Sequence, residues 1–306
     1  MYIAGIDGGS TKTHCMIGDG TENILSEGFS TSSNHQVIGA DAAKKAIAES
    51  LREAMEPLGL ELSDITRVHL GLSGADFASD FAVLNTICGE IFTDIPFTIS
   101  NDSWLGLRIA SPGNTGIIAS CGTSINVAGR TADGRECILR SQGYELGNWG
   151  GGADLIRNAL HYAFRSEERT GIKTRLETEI PRLMGYDTLE DMVAPLMKGE
   201  IGHYSLLGIS DLVFRLANDG DTVCRDLLIK VGRALGDMTA GIIRRLGLCA
   251  ESVRVYAAGG MTKGDNPLLL DEFTTTVHRT APYAGIEVIG KPPAYGAYLL
   301  ALDAME

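Results

Sequence analysis

Apolar residues near the start of the chain come in short runs broken by compact polar inserts. Ile3-Ala4-Gly5-Ile6 leads into Asp7-Gly8-Gly9-Ser10-Thr11-Lys12-Thr13, and apolar positions resume at Met16-Ile17. So brief an insert between two strand-like runs predicts a tight hairpin. A third strand is predicted over 24–29. The spacing then becomes helical across 37–58, and Pro57 and Gly59 close that helix. A strand over 67–72 ends in Ser73-Gly74-Ala75-Asp76, a helix follows over 77–91, and a strand over 97–100 ends on Asn101-Asp102-Ser103.

The same order begins again near Thr115. A strand over 116–120 runs into Cys121-Gly122-Thr123-Ser124, apolar residues return at Ile125 and Val127, and a third strand is predicted at 136–139. A glycine-rich stretch from Gly143 to Gly152 precedes a long helical region over 153–246, within which 222–244 is the most regular helix. A strand at 254–258 then meets Gly259-Gly260-Met261. A helix is predicted from Asn266-Pro267, a strand at 287–289, and a closing helix at 294–304. Three antiparallel-looking strands followed by alternating helix and strand predict an α/β domain with a mixed sheet. Their repetition predicts two related halves. With no low-complexity linker between them, the expectation is an N-terminal lobe at 1–112 joined by a C-terminal helix at 293–306, a C-terminal lobe at 113–292, and a central cleft.

Composition narrows the function classes. The chain of 306 residues is long enough for two domains, and 44% hydrophobic with 21% charged residues is ordinary for a globular protein. A net charge of −13 argues against a general nucleic-acid binder. It leaves anionic substrates open, because a phosphate site needs only a local patch of donors. No apolar run reaches the length of a membrane span, and the strand-like start at residue 2 predicts no signal peptide and a cytoplasmic protein. The six cysteines (Cys15, Cys88, Cys121, Cys137, Cys224, Cys249) include no Cys-x-x-Cys pair, which argues against zinc and against a disulfide framework.

The candidate chemistry lies at the turns. Glycines let a backbone approach an anion closely, and main-chain N–H groups with hydroxyls can cradle phosphate oxygens. Asp7, at a strand end, is placed to hold Mg²⁺, an ion that keeps several waters and uses few carboxylates. An ordinary Asp-Gly hairpin turn is the alternative. Asp102 has two readings as well. It is either a carboxylate general base or the N-cap of the helix that follows.

Three glycine turns after strands (7–13, 121–124 and 259–261), with the strand-end Asp102, resemble the actin, heat-shock ATPase and hexokinase superfamily. Five stretches tighten the likeness: 7–13, Ser33-Asn34-His35 ahead of Ile38-Gly39, 71–76, Asn101-Asp102-Ser103, and 293–300. They resemble the N-acetylglucosamine kinase family, within the benzoyl-CoA-reductase-type ATPases. That resemblance implies a two-lobed ribonuclease H-like (actin-type) ATPase fold with duplicated mixed-sheet domains. It also implies ATP and Mg²⁺ as cofactors, a small-molecule sugar acceptor, no nucleic-acid or membrane partner, and a homodimer. The reaction implied is transfer of the γ-phosphoryl group to a hydroxyl of N-acetylglucosamine or a related amino sugar or hexose.

Site residues follow from the same resemblance. Asp7 falls on the metal side. Gly8, Gly9, Ser10, Thr11, Lys12 and Thr13, with Gly122, Thr123 and Ser124, fall at the phosphates. Gly259, Gly260 and Met261 lie beside adenosine. Asp102 is the base and a sugar contact. Asn34, Asn126, Glu145 and Asn148 are on the sugar side. One departure stands out: Gly147-Asn148-Trp149-Gly150 replaces the family's Gly-Asp-Glu-Gly. Asn148 keeps hydrogen-bonding capacity without charge, and Trp149 would either stack on a sugar face or fill the core. The competing reading is an ATPase component or activator of an acyl-CoA reductase or dehydratase, which would need thiolates gathered for an iron–sulfur cluster.

Overall fold

The computed structural model describes residues 1–305, with the side chains of all but 203 and 204. Contacts divide the chain into two compact units. The first contains Met1–Ile118, Arg130–Gly134 and the chain from residue 289 onward, and the second contains Ala119–Gly129 and Arg135–Val288.

The first unit opens with β1 (Tyr2–Gly8), β2 (Lys12–Gly18) and β3 (Ile24–Thr31). A short helix α1 (His35–Ile38) precedes α2 (Ala40–Met55). The single helix predicted at 37–58 is therefore broken. Gly39 sits at φ 83, where residues with a side chain are strained, and it ends one helix and starts the next. Then come β4 (Ile65–Leu72), α3 (Ala78–Ile91), β5 (Phe97–Asn101) and α4 (Ser103–Ala110). The strand order is β3-β2-β1-β4-β5, antiparallel between β1, β2 and β3 and parallel between β1, β4 and β5.

The plan repeats with β6 (Gly116–Cys121), β7 (Ile125–Arg130) and β8 (Glu136–Ile138), whose residues belong to the second unit apart from 116–118 and Arg130. The predicted helical region resolves into α5 (Gly152–Glu167), α6 (Leu176–Met184), α7 (Leu189–Met197), α8 (Gly208–Asn218) and α9 (Thr222–Leu246). The second unit finishes with β9 (Arg254–Ala258), α10 (Leu268–Thr280) and β10 (Gly285–Val288). The last strand lies slightly earlier than its predicted 287–289, because it pairs in parallel with β9 from Arg254 to Ala257, starting at Gly285. Its sheet order is β10-β9-β6-β7-β8. Counted from the first strand of each sheet, both sheets read 3-2-1-4-5, so the duplication is one of topology.

The chain closes with α11 (Pro293–Asp303), which packs in the first unit; residue 306 of the predicted helix lies outside the described residues. Both faces of β1 are covered, which explains its continuous apolar run. Ala4 and Ile6 join a core with Ile47, Leu51 and Leu84 on one face. Ile3 and Met16 join Tyr295, Tyr298 and Leu299 of α11 on the other. The approach of α11 is so close that a Cβ at Gly5 would lie 2.0 Å from the Tyr298 nitrogen. Arg108 clamps α4 to α11 with a bidentate pair to Asp303 at 2.7 and 2.8 Å. Among the described residues no helix is long and apolar enough to cross a membrane.

Candidate active site

The turn between β1 and β2 is closed by the Gly9 amide donating to the Lys12 carbonyl at 2.9 Å. Its inner carbonyls are already satisfied. Gly8 O accepts from Ser73 N at 2.8 Å, and Gly9 O accepts from Ser33 N at 3.2 Å and from the Ser32 hydroxyl at 3.3 Å. Gly8 has no room for a side chain, since a Cβ would come within 2.4 Å of both Leu72 Cδ2 and Ser33 Oγ. Ser10, Thr11 and Lys12 are left exposed at the tip. Two of the expected phosphate residues behave differently. Thr13 is fully buried and donates its hydroxyl to Thr31 O at 2.7 Å, so it holds the hairpin to β3. The Lys12 ammonium lies 5.6 Å from the centre of the Phe29 ring, a cation–π seat on the sheet.

At the other strand ends, Asn101 and Asp102 divide two tasks between them. Asp102 occupies the N-cap position of α4, yet its side chain makes no capping bond. Asn101 does that work: its Oδ1 accepts from Ser103 N at 3.1 Å, while its Nδ2 donates to Asp76 Oδ1 at 3.0 Å and Ala75 O at 3.3 Å. The Asp102 carboxyl is thereby released from the local role that most often explains an aspartate here. Burial, and then the charge of Asp76, push it up to about 6, against the pull of the Ser103 and Asp102 amides. Asp7 is pushed up to about 7, by burial first and by repulsion from Asp102 second, with Lys12 opposing. Two carboxyls raised together mark a site short of positive charge.

Asn34, expected at the sugar, is buried at 8% exposure. Its Oδ1 accepts from Gln36 N at 3.0 Å and its Nδ2 donates to Ser10 Oγ at 3.2 Å, so it caps α1 and steadies the turn tip at once.

In the second unit the glycines pack on one another. The turn after β6 is bonded by the Gly152 and Ala153 amides, which donate to the Gly122 and Thr123 carbonyls at 2.8 and 2.9 Å. A Cβ at Gly151 (φ +84) would meet Ser124 Cα at 2.7 Å, and one at Gly259 (φ +94) would meet the Cys121 carbonyl oxygen at 2.3 Å. Only glycine at both positions lets the three segments close on each other. Thr123 and Ser124 stay exposed at the top.

Beside this turn opens a cavity of about 680 Å³, within the usual size of a small-molecule site. Gly122 and Thr123, expected at the phosphates, and Gly260 and Met261, expected beside adenosine, are among the residues that line it. More of the lining comes from α8, through Ser210, Phe214, Arg215 and Asn218, which sequence reading did not single out. Phe214 lies flat against the backbone at Gly264, where a Cβ would approach its ring to 2.1 Å. Gly264 was the one available signal, and it could not be matched to a partner without the fold.

The remaining sugar-side expectations separate. Asn148 is buried at 6% exposure and donates Nδ2 to Ile125 O at 3.1 Å; its Oδ1 is buried with no partner. Asn126 Oδ1 accepts from Ser141 Oγ at 3.2 Å. Glu145 is exposed on a single turn of 3₁₀ helix at Tyr144–Leu146. Trp149 is partly buried. Cys121 and Cys137 are both buried, and burial pushes the Cys121 thiol up to about 12. A thiol so disfavoured as thiolate is a poor iron–sulfur ligand.

Two sheets of the same 3-2-1-4-5 order, each with a glycine-hydroxyl turn leaving its central strand, define an actin-type ATPase fold. The chain belongs to the BadF/BadG/BcrA/BcrD ATPase family, whose sequence model matches residues 4–301. It is 26% identical over 300 residues to a Clostridium acetobutylicum protein named N-acetylmuramic acid/N-acetylglucosamine kinase, covering 98% of each chain. It is also 26% identical over 312 residues to a Dictyostelium discoideum protein named N-acetyl-D-glucosamine kinase, covering 98% of this chain and 97% of that one. Among solved structures, a candidate N-acetylglucosamine kinase of Chromobacterium violaceum matches with a TM-score of 0.73 at 22% identity over 98% of each chain, a likeness of fold.

Proposed function

We propose that this chain is an ATP-dependent kinase of N-acetylglucosamine or a related amino sugar. The observation that carries this reading is the Asp102 carboxyl: Asn101 accepts from Ser103 N, the Asp102 side chain makes no capping bond, and burial outweighs the pull of the neighbouring amides to give it an affinity for protons suited to a base near neutral pH. The family is one of ATPases, and its relatives named for kinase activity align over nearly the full chain.

In this mechanism Asp102 accepts the proton of the sugar hydroxyl as that oxygen attacks the γ-phosphorus, and the bond to the ADP oxygen breaks. Catalysis rests mainly on positioning and charge neutralisation. Ser10, Thr11 and the backbone after Gly8, with Gly122, Thr123 and Ser124, supply donors to phosphate oxygens. The cavity lined by Gly260, Met261 and Phe214 receives the adenosine. Asn126 and Asn148 supply hydrogen bonds on the sugar side, with Glu145 as an outer contact and Asn34 holding the tip.

Asp7 would hold Mg²⁺. The fit rests on its raised proton affinity, since a buried carboxyl beside a second acid is relieved by a cation, and Mg²⁺ needs only one or two protein carboxylates beside phosphate and water. When bound, the ion neutralises charge on the phosphate oxygens. The six free cysteines, five of them buried, support a reducing cytoplasmic setting. The test is ADP release from ATP with Mg²⁺ and a panel of hexosamines. Sugar-stimulated turnover is expected, and turnover indifferent to every sugar would sink the reading.

A further inference from the structure

The edge strand β5 leads directly into the proposed base, yet little packing fixes it. It is paired on one side only, to β4, in the register His69↔Thr98 and Gly71↔Ser100. Phe97 and Ile99 turn one face to the core, while Thr98 and Ser100 make the other, with Thr98 exposed and Ser100 half-buried. One buried side chain holds that polar face. His69 of β4, 6% exposed, places Nδ1 2.8 Å from the Thr98 hydroxyl and Nε2 3.0 Å from the Ser100 hydroxyl. The proposed mechanism gives this histidine no part.

Only one proton assignment satisfies these bonds together. Ser100 has a single hydroxyl proton and donates it to the Asn101 carbonyl oxygen at 3.2 Å. Its oxygen must then accept from His69, which puts the proton of a neutral ring on Nε2 and leaves Nδ1 to accept from Thr98. The surroundings favour a neutral ring, since burial pushes His69 down to about 4 against the charge of Asp303. The carbonyl that receives the Ser100 proton belongs to the peptide unit between Asn101 and Asp102. The N–H of that same unit is the Asp102 amide, whose pull lowers the proton affinity of the Asp102 carboxyl. Fixing one end of a planar peptide fixes the other.

We infer that His69 is a positioning residue for the base, acting through Ser100 and the Asn101–Asp102 peptide on the Asp102 carboxyl. The inference rests on the kinase reading, in which Asp102 takes the proton of the acceptor. His69, Ser100, Asn101 and Asp102 all lie in the first unit. The Ser100 bond transmits the orientation, and the Thr98 bond only seats the ring. Hydrogen bonds in such a chain polarise one another, so the Asp102 amide donates better while the chain is intact. A base must be held to a fraction of an ångström, and a displacement of about 1 Å lowers rates about 100-fold.

The test compares wild type with H69L, H69Q, S100A, T98V and H69L/S100A in steady-state kinetics, with ATP, Mg²⁺ and the hexosamine that wild type turns over fastest. H69L and S100A should each lower kcat about 10–100-fold with both KM values within about threefold, and the double variant should fall no further than either. A glutamine amide can donate from near the Nε2 position, so H69Q should stay within about fivefold of wild type. T98V should lower thermal stability yet leave kcat within about threefold, because the Ser100 bond survives. Losses that add in the double variant, equal losses in T98V and S100A, or a folded H69L with unchanged kcat overturn the inference. If H69L does not fold, S100A decides: an unchanged kcat overturns the inference, and the expected loss with T98V spared supports it. If wild type phosphorylates no hexosamine, the kinase reading fails, and the Asp102 amide proton resonance of isotope-labelled protein judges the chain alone. An upfield move in H69L and S100A, absent in H69Q, supports the chain, and an unmoved resonance overturns it.

Discussion

Replacing Asp102 by asparagine removes the one atom set that can take a proton from the acceptor and, at the same time, an unfavourable buried charge. The two consequences run in opposite directions. Asp102 is raised from 3.8 to about 6, so the folded protein favours its protonated form. Its contribution to stability is therefore full below the unfolded value of 3.8 and is lost as pH rises through about 6. At about 1.4 kcal/mol for each pH unit between those values, the charged carboxylate destabilises the fold by about 3 kcal/mol above pH 7. Sharing with Asp7 and partial solvent access reduce the recoverable part to about 1–2 kcal/mol. Asp102→Asn should then melt roughly 2–6 °C higher than wild type near pH 8, with the difference shrinking toward pH 5. Turnover should drop about 10²–10⁴-fold, with nucleotide affinity largely kept. Thermal unfolding at the two pH values, beside steady-state kinetics and a nucleotide titration, measures all three. A variant less stable than wild type at pH 8, or one within tenfold of wild-type turnover, refutes the account of Asp102 as a free base.

Other substitutions probe the neighbouring parts. Asp76→Asn removes a charge that raises Asp102, so the acid limb of the kcat/KM profile, placed near pH 6, should move to lower pH; an unmoved limb would separate Asp76 from the base. Gly259→Ala puts a Cβ 2.3 Å from the Cys121 carbonyl oxygen at φ +94, and should cost about 1–3 kcal/mol in unfolding and raise the KM for ATP more than for sugar. Phe214→Leu should raise the ATP KM several-fold with the sugar KM little changed, read from paired substrate titrations. Tyr298→Phe removes a buried hydroxyl that accepts from Gly20 N at 3.1 Å and donates to Thr21 O, and should lower stability by about 1–2 kcal/mol in denaturant titrations without altering KM.

The strand-turn-strand openings at 2–18 and 116–130 were legible because short continuous apolar runs and glycine inserts are local signals. The shared 3-2-1-4-5 order follows from them and from the alternation of helix and strand that comes after. What stayed hidden depends on tertiary partners. Periodicity shows that α8 is amphipathic but not that its Phe214 and Asn218 stand across a cavity from Gly260. The adjacent pair Asn101-Asp102 sits at the same helix start, and sequence cannot say which of the two side chains caps it. Thr13 looks like part of the hydroxyl cluster, yet it falls on the inward side of β2 because its register places it opposite Gly8 and Ser30. The empty Oδ1 of Asn148 is visible only once Ile125 is seen to occupy its Nδ2.

The central claim, phosphoryl transfer from ATP to a sugar hydroxyl, is tested most directly by following the phosphorus itself. Phosphorus NMR of the protein with ATP, Mg²⁺ and each N-acetylhexosamine should show a sugar phosphomonoester growing in step with ADP, with little inorganic phosphate. Inorganic phosphate as the sole new product, at a rate the same with and without sugar, would contradict it.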